Sequence, residues 1–437
     1  MTKIKESILL NCVFPISDLV MGTCAMKWYK QIVKMNSWSK EDIIKWQTNQ
    51  MHKLVDHAYN HTRYYHETMN ALGLKPQDIQ TLDDLKLFPA LTREIIKERF
   101  NDLIPDNIKK YPHRFSATGG STGQPMKYIC DENTWGFVTA MKIYSWQQTG
   151  YRYGDKFVSL GSSSLFPVNK RSLVHEAYFK LRNTIPLNGM NMDDATCSAY
   201  MALIRKHHIR YIYGYATAIY LLARYCRDNN VEWHFDAAFA TAEKLTPHYR
   251  QVISETWGAH VMDCYGSKDG GVTAYEIEPG KYHVGYASWF EASDSEPSTL
   301  YATNLIDFAF PTIRYANRDE VMMWDNSVES TYNGQLLREV IGRTSDVVAF
   351  DNGHRLTTSG FNSLFRGFNV DAFRISKSGG LSVLVQIKKR ENFSQDEHDL
   401  LYETIKKYVG EEVAITIEYV DDFMPLKNGK RSFLYNQ

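Results

Sequence analysis

From Ser39 onward, apolar side chains return every three to four residues, the period of a helix with one buried face. Residues 38–70 read as one helix, with Ser39 as N-cap, Glu41 and Asp42 in the first turn, and Ile44, Leu54, Val55 and Ala58 on the inner face. The stretch TLDDLKLFPALTREIIKERF then reads as a short capped helix, a break at Pro89 and a second helix from near Thr92. Further helices are expected over 131–149, 193–208, up to 228, and over 246–257. Between them stand short β-prone runs: KFVSLG, IRYIYGY, AAFATAE and AHVMDCYG. Strands that alternate with helices imply a parallel or mixed sheet buried on both faces. Residues 281–325 read as several strands joined by turns.

After about residue 342 the character changes. VDAFRISKSGGLSVLVQIKK predicts two strands around Gly379–Gly380, SQDEHDLLYETIKKYVG a capped amphipathic helix ending at Gly410, and EVAITIEYV a strand. At 437 residues the chain exceeds the roughly 250–300 at which single cores stop growing. The fold class expected is multidomain α/β. Residues 1–342 would form a large domain of mixed or parallel sheets flanked by helices, and residues 343–437 a small α+β domain.

Lys+Arg and Asp+Glu number 50 each, so the formal net charge is zero, and the basic residues are spread out. Nothing points to nucleic acid or to an anionic membrane. The six cysteines form no CxxC and read as buried reduced thiols. The apolar start, ESILLNCVFPISDLVMGTCAMKWY, is interrupted by Asn11, Pro15 and Asp18, which leaves no run near the ~20 residues of a spanning helix and no signal-peptide shape. A cytoplasmic location is the expectation.

ATGGSTGQPMKY, residues 117–128, changes the picture most. Gly119, Gly120 and Gly123 can take left-handed backbone and bring N–H groups close to an anion. Thr118, Ser121 and Thr122 add hydroxyls, and Lys127 adds a charge. The spacing matches neither a Walker loop nor a dinucleotide fingerprint. By itself the stretch is either a plain turn or hairpin or an anion-holding loop.

Five short motifs in order decide between them. TGGSTGQP (Thr118–Pro125) resembles the TSGSTGxP loop of the adenylate-forming superfamily of acyl-CoA synthetases, with Gly119 for the usual Ser. MDCYGSKDGG resembles its D-x-Y-G-x-T-E element, TIRYANRDE its R-Y-x-x-G-D element, IGRTSDVV its G-R-x-x-D hinge and PLKNGKRS its P-x-x-x-G-K. VDHAYNHTRYYHE and DLKLFPALTREIIKE are similar to the phenylacetate–CoA ligase branch, which includes proteins encoded with capsular-polysaccharide genes.

The resemblance implies an ATP- and Mg²⁺-dependent ligase that converts a carboxylic acid to an acyl-adenylate and passes the acyl group on. The acceptor is CoA or a sugar amine or hydroxyl. It implies that the 118–123 loop holds the β- and γ-phosphates. Tyr265 would stack on adenine, flanked by Gly266, with Asp263 near the exocyclic amine and Glu243 at the matching strand end. Asp269 stands where the family has its Mg²⁺-binding Glu, and Lys268 replaces a Thr. Asp319 would hold the ribose, preceded by Arg318 where the family has Gly. Arg343 would approach ribose or phosphate, and Asp346 would lie at the hinge. Lys430 would swing in on a mobile C-terminal lid and bridge carboxylate and α-phosphate. Ser162, Ser163, Tyr213, Gly214 and Tyr215 would line the acyl pocket. Its serines, with Lys170, Arg171 and Arg182, suggest a polar or anionic acid. The stretch matching a zinc site in some of the branch holds His283 but no Cys, so no zinc is expected. A homodimer is compatible with the sequence. The departures at Gly119, Lys268, Asp269 and Arg318 leave a rival: a nucleotide binder without ligase activity, or a scaffold of a polysaccharide-synthesising complex.

Overall fold

The computed structural model describes residues 9–117, 126–161, 182–189, 194–294, 298–324, 330–343, 347–349, 355–357, 368–377, 381–421 and 434–436, together with 176, 179–180, 192, 365 and 423. Its strands, in chain order, are β1 (Leu91–Thr92), β2 (His113–Ala117), β3 (Lys127–Asp131), β4 (Phe157–Gly161), β5 (Thr184–Asn188), β6 (Tyr211–Tyr215), β7 (Ala237–Thr241), β8 (His260–Ser267), β9 (Val272–Glu278), β10 (Lys281–Val284), β11 (Ser288–Ala292), β12 (Ser298–Asn304), β13 (Tyr315–Met323) and β14 (Leu336–Arg343). Then follow β15 (Val347–Ala349), β16 (Arg355–Thr357), β17 (Val370–Lys377), β18 (Ser382–Lys389), β19 (Ala414–Tyr419) and β20 (Leu434–Asn436).

One large mixed sheet runs β11-β12-β13-β14-β10-β9-β8-β7-β6-β4-β5, with β1 added parallel to β13. Its β5-β4-β6-β7-β8 half is parallel throughout, and β8 joins the antiparallel half through β9. Strand β7 shows why these runs are apolar on both sides. Ala237 and Phe239 face one cluster with Ile32, Ile43, Phe137 and Trp146, whereas Ala238 and Ala240 face the other, with Ile219, Leu222, Val252 and Trp257. Alternate residues of a strand point to opposite faces, so helices cover both. A second sheet, β19-β18-β17-β20, packs Ile375, Val385 and Ile387 against Leu401 and Ile405 of the helix Gln395–Val409. The molecule is thus α/β, with a large helix-flanked sheet and a small C-terminal one.

Local chemistry departs from the sequence reading in three places. The single helix expected over 38–70 is two, Lys40–His61 and Arg63–Ala71, because Thr62 turns extended and its hydroxyl caps the second helix at Tyr65 N. The inner face carries Ile43, not Ile44, which is 44% exposed. The helix expected at TLDDLKL is a 3₁₀ segment, Leu82–Leu87. Caps at Ser39, Asp131, Thr92, Thr246 and Ser394 hold their helices through N–H groups three residues on. Among the described residues no helix is long and apolar enough to cross a membrane.

Candidate active site

After β4 the chain moves to the outer edge as β5, then returns on the other side of β4 as β6. Connections therefore leave β4 and β6 in opposite directions, and a crevice opens beyond the carboxyl ends of these strands. Strand β8 overshoots β7: Thr241, the last residue of β7, pairs with Cys264, so Tyr265, Gly266 and Ser267 stand clear at the crevice rim.

Two clusters form at that rim. In the first, the Tyr265 hydroxyl donates to Asp319 Oδ2 at 2.6 Å, and Asn317 Nδ2 donates to the Tyr265 hydroxyl and to Asp319 Oδ2, each at 2.8 Å. The Asp319 backbone N–H donates back to Asn317 Oδ1 at 3.0 Å. A buried carboxylate is thereby aimed by two side chains from β8 and β13. In the second, Asp269 Oδ1 accepts from Ser267 and Oδ2 from Tyr315, both at 2.7 Å. The Tyr315 phenol is pushed up by burial and then by the Asp269 charge, so it stays a donor. Gly271 closes this turn at φ +63, where a Cβ would stand 2.3 Å from Asn304 Nδ2.

The β2–β3 hairpin packs beside the second cluster. Ala117 pairs with Lys127, so residues 118–126 form the connection between these strands. The Asp269 charge reaches Tyr128 of β3, whose phenol is raised first by burial, and Lys268 interacts with Cys130. Strand β3 therefore lies within electrostatic reach of Lys268 and Asp269. Thr118, Gly119, Gly120, Ser121, Thr122 and Gly123 themselves lie outside the described residues, as do Ser162, Ser163, Asp346, Lys430 and the side chain of Arg343. The backbone of Arg343 pairs with Asp319 across β13 and β14, which puts it at the first cluster.

The remaining expected residues sort by depth. Asp263 is buried below Tyr265, with its carboxylate accepting from the Tyr282 hydroxyl at 2.7 Å and its pKa raised to about 6 by burial. Gly266 and Lys127 are exposed at the rim. Glu243 Oε2 accepts from Thr217 N at 2.9 Å, so its carboxylate tops the amino end of the helix Ala216–Asp228, where backbone donors lack partners. Tyr213 is half-buried and packs against the apolar cluster that holds Trp146 and Phe239. Gly214 is a packing glycine: a Cβ would stand 2.1 Å from the Leu160 carbonyl oxygen. Tyr215 is not a lining residue, being 1% exposed within the apolar cluster that holds Leu160 and Ile219. His283 stacks on Tyr332 at 4.1 Å, and burial lowers its pKa to about 4.

Two substitutions relative to the adenylate-forming motifs leave a clear trace. Ala242 and Arg318 occupy the places of family glycines, and both have left-handed backbones, at φ +66 and +69. The backbone shape a glycine would favour is kept without the glycine. Arg318 also forms an ion pair with Glu94. Residues missed from sequence are Asn317, Tyr315, Ser267 and Tyr282. Tyr315 and Asn317 sit four and two places before Asp319 on one strand, a spacing that could have drawn attention to them.

No family model matches the chain. In sequence it is similar to protein CapK of Staphylococcus aureus, 23% identical over 420 residues that cover 94% of this chain and 92% of CapK. It is also 23% identical to the phenylacetate-coenzyme A ligase of Pseudomonas putida, over 72% of this chain and 73% of that protein. In fold it is similar to 2-hydroxyisobutyryl-CoA ligase solved in the postadenylation state, with TM-score 0.66, 15% identity and 90% and 89% of the two chains covered. The anthranilate CoA ligase AuaEII solved with anthranoyl-AMP aligns with TM-score 0.52 at 14% identity, covering 73% of this chain and 64% of that one. The chain is similar in sequence to CapK and to phenylacetate-coenzyme A ligase, and it has the fold of the CoA ligases solved with acyl-adenylates.

Proposed function

We propose that the protein activates a carboxylic acid with ATP. A carboxylate oxygen attacks the α-phosphorus, the bond to the bridging oxygen of the β-phosphate breaks, and pyrophosphate leaves with that electron pair. The observation that carries this reading is the pair of carboxylates at one crevice rim: Asp319, aimed by Tyr265 and Asn317, and Asp269, aimed by Ser267 and Tyr315. Asp319 can accept from two ribose hydroxyls. Asp269 is an oxygen donor suited to Mg²⁺ beside the hairpin that carries the 118–126 connection. Magnesium there would neutralise phosphate charge.

The acyl group then passes to an acceptor, with attack on the carbonyl releasing AMP. The relatives named phenylacetate-coenzyme A ligase support a CoA thiol as acceptor; the similarity to CapK supports a role in surface-polysaccharide synthesis, with a sugar amine or hydroxyl as the other acceptor. The C-terminal sheet with its helix is read as the lid that delivers Lys430, turning at Asp346. The test is pyrophosphate exchange into ATP across a panel of acids, followed by addition of CoA and detection of a thioester. Exchange that requires one acid class and Mg²⁺ is the expected result. ATP binding without exchange from any acid overturns the ligase reading and favours a nucleotide binder.

A further inference from the structure

The acyl pocket of this reading holds a cation that adenylation does not use. The helix Glu132–Gln147 lies across β6–β8, and its inner side chains, Phe137, Ala140, Met141 and Trp146, join Phe239, Met262 and Tyr275 in one apolar cluster. Lys142 is set into this surface. Its ammonium lies 5.0 Å from the centre of the Tyr213 ring and 5.4 Å from that of Trp146. Among the described residues no carboxylate pairs with it.

The depth of Lys142 follows from the helix. Trp146 packs on Phe157, the first residue of β4, at the end of the sheet away from the crevice. Thr134, at the other end of the helix, accepts from Asn304 beside Gly271, at the rim. Lys142 is one turn from Trp146 toward Thr134, level with Tyr213, and so lies below the rim clusters of Tyr265 and Asp269. Arg182, whose guanidinium donates to the Tyr153 hydroxyl at 2.6 Å, and Lys268 both act on it as like charges. Burial, followed by these two cations, lowers its pKa to about 8. The ring faces beneath Lys142 hold its ammonium without neutralising it.

We propose that Lys142 recognises an oxyanion on the acid substrate, at the end remote from the carboxyl group that is activated. This rests on the acid-activating reading above and gives it a substrate class: acids with a second carboxylate or equivalent anionic group. In that reading activation takes place at the rim, where Asp269 meets the phosphates. A group on the floor therefore meets the far end of the acid. A neutral tail would leave the Lys142 charge desolvated and unpaired, whereas an oxyanion pairs with it.

The experiment uses the full chain with ATP and Mg²⁺, and matched acids: phenylacetate against 4-carboxyphenylacetate, and hexanoate against adipate. Calorimetry reads binding and pyrophosphate exchange reads activation, for the wild type, Lys142→Met and Lys142→Arg. The diacid of each pair is expected to bind about tenfold tighter than its monoacid, the scale of a charged hydrogen bond. That ratio collapses in Lys142→Met and survives in Lys142→Arg. A wild-type ratio near one, or a ratio unchanged in Lys142→Met, overturns the proposal. Lys142-dependent diacid binding without exchange from any acid overturns the adenylation reading and keeps the pocket assignment. Exchange with monoacids alone does the reverse.

Discussion

The hydroxyl of Tyr265 and the carboxylate of Asp319 meet at 2.6 Å, although 54 residues separate them in the chain. The contact joins the overshooting end of β8 to β13, and Asn317 braces both partners. Tyr265→Phe removes one of the donors that orient the carboxylate while keeping a ring for adenine to stack on. We expect the affinity for ATP to fall severalfold, with about 1 kcal/mol lost in stability, the typical value of one hydrogen bond. Asp319→Ala should weaken ATP much further. Calorimetric ATP titration with thermal melts checks both; a Tyr265→Phe variant that binds ATP as the wild type does would show that the contact is structural only.

Asp269→Asn tests the metal reading. An amide of the same shape keeps one oxygen for the Ser267 or Tyr315 hydroxyl but loses the charge that draws Mg²⁺. The Mg²⁺ concentration giving half-maximal pyrophosphate exchange should rise by about tenfold or more. Tyr315→Phe, which loosens the carboxylate and leaves its charge, should raise it less. Magnesium titrations of the two variants in parallel rank them; equal or reversed effects would remove Asp269 from the metal site.

Much of this was legible in the chain because the informative signals are local. Alternating strand and helix patterns, capping residues such as Ser39 and Ser394, and the ordered motifs around Tyr265, Asp269 and Asp319 are read within a dozen residues. The partners Asn317, Tyr315 and Tyr282 were not legible, since only the folded chain brings side chains of β10 and β13, which are not sheet neighbours of β8, within reach of Asp263, Tyr265 and Asp269. Glu243 was legible only in part for the same reason: its motif resembles an adenine-side strand end, and the fold also sets its carboxylate on a helix amino end. Lys142 carries no motif at all, and its meaning comes from what lies beneath and beside it.

The left-handed backbones of Ala242 and Arg318 make a stability prediction. A Cβ in this region costs roughly 1–2 kcal/mol, and glycine regains it less roughly 0.5–1 kcal/mol of extra chain entropy in the unfolded state. Ala242 is exposed, so its methyl loses little packing when removed. Ala242→Gly should stabilise the protein by about 1 kcal/mol in denaturant titration. Arg318→Gly should gain less, because it also gives up the exposed ion pair with Glu94. A loss of stability in Ala242→Gly would show that the strain is absent.

Lys430, whose role is proposed from its motif, separates the two half-reactions. Lys430→Ala should abolish pyrophosphate exchange while leaving transfer from a supplied acyl-adenylate to its acceptor within about threefold, since the lysine would act at the α-phosphate only. Quenched-flow assays with synthetic adenylate measure this. Equal loss of both half-reactions would place Lys430 elsewhere in the cycle.

Asp263 gives the protein a pH-dependent stability whose sign can be worked out. Burial raises its pKa from 3.8 to about 6, against the opposing hydrogen bond from Tyr282. The folded state therefore binds the proton more tightly than the unfolded chain does. Stability contributed through this group rises as pH falls through about 6 and levels off below 3.8. The difference of roughly 2 units corresponds to about 3 kcal/mol at most. Asp131 is raised to about 6 and Glu291 to about 7, so the wild type alone cannot isolate Asp263. Asp263→Asn can: the amide oxygen still accepts from Tyr282, and no charge is buried. At pH 7.5 the variant should be more stable than the wild type by about 2–3 kcal/mol, and the gap should close by about pH 4. Urea titrations at both values decide it. A gap that stays constant with pH would mean that Asp263 keeps an ordinary carboxylate pKa in the folded protein.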